Sequence, residues 1–145
     1  MMEGSTMRIQ ISNDLDKEEV IKAIRSATIV EDGDYILIPK NNRINVYDHS
    51  GIVFINLNDI DYIESLDNTI YVHSGSNSYV SMIKLYQYLE LSSILIRISK
   101  TMIVNVYKIS NIRPSLNMKY KIQINDQWLD VNRTYYYEFK DAIGI

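Results

Sequence analysis

The sequence predicts a mainly β protein of antiparallel sheets with short helices, preceded by an N-terminal β-α extension. Three observations carry that expectation. From Tyr35 onward, strand-sized apolar runs recur every 8 to 12 residues or so, with polar turn residues between them. The chain holds 12 tyrosines, and tyrosine suits the pleated surface of a strand. With 145 residues, 46% of them hydrophobic, there is enough apolar material for one proper core.

The elements follow in order. Met1 to Met7 reads as an added leader ahead of a native start at Met7. Residues 8–13 alternate apolar and polar side chains, as a half-buried strand does. Asp14 to Glu19 then sets acids ahead of Val20, Ile21, Ala23, Ile24 and Ala27. Acids at a helix start complement its dipole, so a helix is expected over 15–27, ending before Glu31-Asp32-Gly33-Asp34. This β-α unit, 8–33, is too small to fold alone. The main domain is expected over 35–145. Its early strands are read at Tyr35–Ile38, Arg43–Tyr47, Ile52–Ile55, Ile60–Ser65 and Thr69–His73. Turns intervene at Pro39 to Asn42, Asp48 to Gly51 and Leu66 to Asn68. A short helix is expected near 81–91, where strict alternation fails around Leu85, Tyr88 and Leu89. Four more strands are read at Ile94–Ile98, Ile103–Val106, Tyr120–Ile124 and Trp128–Val131, and a closing helix at Tyr135–Ala142.

Composition removes several function classes. The chain has no cysteine, which excludes disulfides, thiolate metal sites and cysteine nucleophiles and suits a reducing cytoplasmic setting. No run approaches the roughly 20 apolar residues that span a bilayer, and the N-terminus lacks the regions of a signal peptide. The two histidines, His49 and His73, are far apart, and five glycines leave little room for a phosphate loop. Asp59, Asp61 and Glu64 are close in sequence. As a strand, the segment would put Asp59 and Asp61 on one face and Glu64 on the other, all solvated. No catalytic residue, metal site or cofactor is expected, and the chain reads as a non-enzyme.

The net charge of −3 divides unevenly. Residues 1–96 carry 7 Lys/Arg against 14 Asp/Glu, and residues 97–145 carry 8 against 4. Screening acts over about 8 Å at physiological salt, so a polyanion meets the local face and not the total. Two segments in the basic part run from strand into polar, cationic residues: Arg97-Ile98-Ser99-Lys100-Thr101 and Asn132-Arg133-Thr134-Tyr135. Such groups supply the charge and hydrogen bonds that phosphates and base edges require. Read alone, both segments are better taken as polar turns between strands.

Taken with Leu57-Asn58-Asp59-Ile60-Asp61-Tyr62-Ile63-Glu64-Ser65, Tyr71-Val72-His73, Met102-Ile103-Val104-Asn105, Lys108-Ile109 and Ile112, these segments form a series. Its order and spacing resemble the LytTR DNA-binding domain over about 90 residues, or about 110 with the strands from Tyr35. The resemblance implies an elongated stack of antiparallel sheets with short helices, over 35–145. It implies a sequence-specific bacterial transcription regulator that inserts loops, not a recognition helix, into successive major grooves at paired direct-repeat promoter sites. Carried onto this chain, the first loop contact falls at Asn68 or Thr69. Lys100 takes the base-reading position of the second loop, with Arg97 or Ser99 near phosphates and Thr101 beside them. Asn132, Arg133 and Thr134 form the third. Lys108 and Arg113 add to the electrostatic attraction.

The chain departs from the family where His-Arg-Ser-Tyr is replaced by Ser99-Lys100-Thr101-Met102, and Ser-Arg-Arg-Tyr by Asn132-Arg133-Thr134-Tyr135. Lysine lacks the planar fork that arginine offers to guanine, so a divergent recognition sequence is expected. The stretch before Tyr35 is too short for a receiver domain, which places regulation elsewhere. Candidate partners are double-stranded DNA, a cognate membrane inhibitor protein as in stand-alone members, and a second copy of the chain on DNA. The β-α extension is either a docking or dimerisation element or a cap on its own domain. The alternative function is a protein-interaction module on the same fold that has lost DNA binding.

Overall fold

The computed structural model describes residues 7–37 and 42–145. The chain divides into two units, Met1–Leu37 and Ile38–Ile145. In the first unit, helix α1 spans Lys17–Arg25. The Asp16 carboxylate accepts from the N–H groups of Glu18 (3.1 Å) and Glu19 (3.3 Å). That cap fixes the start two residues later than expected, because the capping residue itself is not helical. Glu18 and Glu19 in the first turn and Lys22 and Arg25 in the last complement the dipole. Residues 8–13 do not form the expected strand. Residues 7–10 are all exposed, so the alternation has no buried face to serve. Tyr35–Leu37 is likewise not a strand; the last residue of that reading, Ile38, and the turn read from Pro39 through Asn41 lie outside the described residues.

Among the described residues, the second unit is built from ten strands. They are β1 Arg43–Asp48, β2 Gly51–Asn56, β3 Tyr62–Leu66, β4 Thr69–Ser74, β5 Asn77–Ser81, β6 Leu95–Ser99, β7 Met102–Asn105, β8 Ile109–Ser115, β9 Lys119–Ile124 and β10 Gln127–Val131. Two further helices are α2 Leu85–Leu91 and α3 Tyr136–Ile143. The strands form a seven-stranded sheet ordered β2-β1-β5-β4-β3-β7-β6 and a three-stranded sheet ordered β10-β9-β8. Every pairing among them is antiparallel. The fold is thus mainly β with short helices, as the sequence predicts.

Alternation along β3, β6 and β7 divides their side chains between two cores. Ile63, Leu95 and Ile103 face one side with Val46 and Val72, where α2 closes the core through Leu85 and Tyr88. Tyr62, Ile98 and Val104 face the other, where they meet Tyr120, Ile122, Ile124 and Val131 of the small sheet and Phe139 of α3. The shared strands are therefore buried on both faces. Asn105, 1% exposed, fastens the junction. Its Nδ2 donates to the carbonyls of Ile60 (2.9 Å) and Asn58 (3.2 Å), and its Oδ1 accepts from Tyr107 N–H (3.0 Å).

Two strands, β5 and β8, have no counterpart in the sequence reading. The Asn77-Ser78-Tyr79-Val80-Ser81 strand is poor in apolar residues but lies between β1 and β4, whose ladders hold it. Pro114 argues against a central strand, yet β8 is the edge of its sheet, where a missing N–H is tolerated.

Candidate nucleic-acid interface

Two turns stand side by side at one end of the large sheet. The first joins β3 to β4, where Leu66 opposes Thr69 and Asp67 and Asn68 take φ of 49° and 66°. Two successive left-handed residues suit a two-residue hairpin, and Asp and Asn accept that conformation better than other non-glycine residues. The second joins β6 to β7, where Ser99 opposes Met102 and leaves Lys100 and Thr101 at the tip. Because Glu64 of β3 opposes Met102 of β7, the end of one strand lies beside the start of the other. The N–H of Ser65 donates to the Thr101 carbonyl at 2.8 Å, tying the second turn to the strand that leads into the first.

The third predicted segment follows β10. Asn132 donates its N–H to the Ile98 carbonyl at 2.9 Å, which holds this loop against β6. A single 3-10 turn, Arg133–Tyr135, then leads into α3. The structure thus brings the three sequence-predicted loops to one neighbourhood, although they are about 30 residues apart in the chain. Ser99–Met102 share a groove of about 570 Å³ with Asn132, Thr134 and Tyr135, while Arg133 stands outside its lining. Asn68 and Thr69 sit on the adjacent turn and do not line it.

The side chains differ in how free they are. Asn68, Lys100, Thr101, Asn132, Arg133 and Thr134 are exposed; Thr69, Arg97 and Ser99 are half-buried. Ser99 Oγ accepts from Thr101 N–H at 3.2 Å, so it shapes its own turn. Asn132 makes no side-chain capping bond to the helical turn behind it. Arg97 lies at the β-bulge between residues 97 and 99, and its Nε is buried with no hydrogen-bond partner among the described residues. Neither Lys100 nor Arg133 has an ion-pair partner among the described residues. Of the groove's lining only Asp130 is acidic, and it stands 3.8 Å from Lys121 Nζ. Both ends of that pair are exposed, so it contributes little.

Sequence reasoning missed Trp128 and Asp130 as groove residues. Nothing in their spacing separates them from ordinary strand positions; the register of β9 with β10 brings them there. The Arg113 guanidinium lies 4.6 Å from the Trp128 ring centre. The acids around β3 also differ from expectation. Asp59 belongs to a 3-10 turn, Leu57–Asp59, and not to a strand. Asp61 is buried at 4% exposure, because its Oδ2 accepts from Gly75 N–H (2.7 Å) and Asn125 Nδ2 (3.0 Å). Glu64 meets His73 Nε2 at 2.8 Å, and the His73 ring stacks on Tyr62 at 4.3 Å. Burial, then the charges of Glu64 and Asp61, raise the Tyr62 phenol above its ordinary value, partly opposed by its bond to Gln127.

Residues 50–144 match the family model described as LytTr DNA-binding domain. The chain belongs to the LytTR family. Among solved structures, the LytTr DNA-binding domain of a Bacillus cereus protein superposes with a TM-score of 0.68 at 19% identity. The likeness covers 72% of this chain and 99% of that one. No curated protein matches the chain. LytTR is a class of DNA-binding domains and not of enzymes. Among the described residues, no helix is long and apolar enough to cross a membrane.

Proposed function

We propose that this LytTR chain is a sequence-specific transcription regulator whose three loops read successive major grooves at a direct-repeat promoter site. The observation that carries the reading is the convergence of the loops. Two backbone hydrogen bonds, Ser65 to Thr101 and Asn132 to Ile98, tie separate parts of the chain into one exposed, cationic surface. In this reading Lys100 and Arg133 reach base edges, with Asn68 or Thr69 and Asn132 beside them. Arg97, Thr101 and Thr134 serve the phosphates, and Ser99 sets the turn. Lys108 and Arg113 add long-range attraction. Two copies on paired half-sites would match a direct repeat, and a membrane inhibitor protein would supply regulation.

The test is a binding titration at two salt concentrations against fragments from the chain's own upstream region. Salt-sensitive binding to one fragment, lost in Lys100→Ala/Arg133→Ala, supports the reading. A second reading, a partner-binding module that has lost DNA binding, draws on Ile52 (61% exposed) and Phe54 (58%) on the outer strand of the large sheet. Exposed apolar side chains of this kind suit a protein partner. That reading gains if every fragment fails to bind at all salts.

A further inference from the structure

The β8–β9 hairpin forms a fourth tip beside the loop that follows β10. Val131 of β10 opposes Tyr120 of β9, and Lys119 opposes Ser115 of β8. The chain therefore leaves β10 at Asn132 next to the start of β9, where the turn Leu116–Asn117–Met118 ends. Adjacent strands are about 4.8 Å apart, so Ser115 lies two spacings, about 10 Å, from the start of the Asn132–Thr134 loop. About 10 Å of duplex axis carries on the order of six phosphate charges. A surface reaching the duplex through Arg133 thus has phosphates within range of this hairpin.

The chemistry of the tip matches that neighbour. Tyr120 and Ile122 point into the core, so the period of two turns Lys119 and Lys121 outward. Arg113 opposes Lys121 and shares its face. Arg113 is stacked on Trp128 and Lys121 leans toward Asp130, whereas Lys119 has no ion-pair partner among the described residues. Asn117 and Met118 hold φ of 62° and 56°, a conformation uncommon for residues other than glycine. The turn so formed leaves Leu116 83% exposed and keeps Asn117 exposed beside Lys119.

We propose that this hairpin is a fourth DNA contact, with Lys119 on a backbone phosphate and Asn117 next to it. It lengthens the footprint beyond the Asn132–Thr134 loop without reading bases. The proposal rests on the DNA-binding reading above. The probe is the duplex that the unaltered chain selects from random-sequence DNA, titrated over a range of salt. Lys119→Gln lowers the slope of log affinity against log salt by about 0.9, the value for one phosphate contact. It also removes backbone protection at one flank while leaving the selected sequence unchanged, and Lys119→Arg restores both. An unchanged slope and flank in Lys119→Gln, with affinity still lost in Arg133→Ala, overturns the hairpin contact alone. If the unaltered chain selects no DNA, the three-loop reading falls and takes this proposal with it.

Discussion

Asn132 donates its backbone N–H to the carbonyl of Ile98, 34 positions earlier, at 2.9 Å. Asn132 sits at φ −70° and ψ 151°, a conformation proline adopts without strain, and the strand residue before it suits the position preceding proline. Asn132→Pro therefore removes the donor and little else of the backbone. The orphaned Ile98 carbonyl costs about 1–3 kcal/mol where it is buried. Asn132→Ala keeps the N–H and removes only the side chain. DNA affinity is expected to fall further in the proline variant than in the alanine variant. Equal losses in the two titrations would mean that the clip does not position the loop.

Asp61 joins the two sheets from their turns. Its one carboxylate oxygen meets Gly75 in the β4–β5 turn and Asn125 in the β9–β10 turn. Asp61→Ala removes two part-buried hydrogen bonds to a carboxylate, each contributing about 1.5 kcal/mol. The loss of stability is expected to reach about 3 kcal/mol, with Asp61→Asn distinctly milder because it keeps an acceptor. Urea denaturation reads both. An alanine variant within about 0.5 kcal/mol of the parent, the range of a neutral surface change, would show that the contact is dispensable.

Tyr88 gives the fold an alkaline limit. Its ring is fully buried in the core under α2, and burial raises its phenol above the ordinary value, partly offset by its hydrogen bond to Ser81. The folded state therefore holds this proton more tightly than the unfolded chain, whose tyrosine ionises near pH 10. The resulting stability is complete below pH 10 or so and is lost as pH rises above it. Tyr88→Phe is expected to lose about 1 kcal/mol at neutral pH with the Ser81 bond. Its stability then falls less steeply than the parent's at high pH. Parallel alkaline melting curves for the two proteins would exclude the linkage.

The fold was largely legible in the sequence because period-two patterning reports burial directly. β1, β4, β9 and β10 fall within two residues of their expected bounds, since each alternates or runs apolar between turn residues. β5 and β8 were not legible, because their stability comes from the ladders of neighbours and not from their own side chains. The strand expected at 8–13 failed for the converse reason: it has the alternation but no buried face for that alternation to serve. Of the candidate site, the residue types could be read but not their convergence. Nothing local to Asn132 announces that Ile98 supplies its acceptor. Asp61 shows the same limit, since a carboxylate's solvation depends on donors supplied by residues 75 and 125.

Lys100 tests whether base reading has diverged from the wider LytTR family. It is exposed at the tip of a two-residue turn, where the family pattern has arginine. A lysine ammonium can approach guanine as a point charge, but it lacks the fork that pairs with O6 and N7 together. Lys100→Arg keeps the charge and so leaves the salt dependence nearly unchanged, while adding the bidentate geometry. Good bidentate pairs discriminate by about 1–3 kcal/mol against the wrong base. Selection from random DNA is therefore expected to return a sequence with a stronger guanine preference at one position for the variant. Identical selected sequences for parent and variant would remove Lys100 from the base-reading role and leave it a phosphate contact.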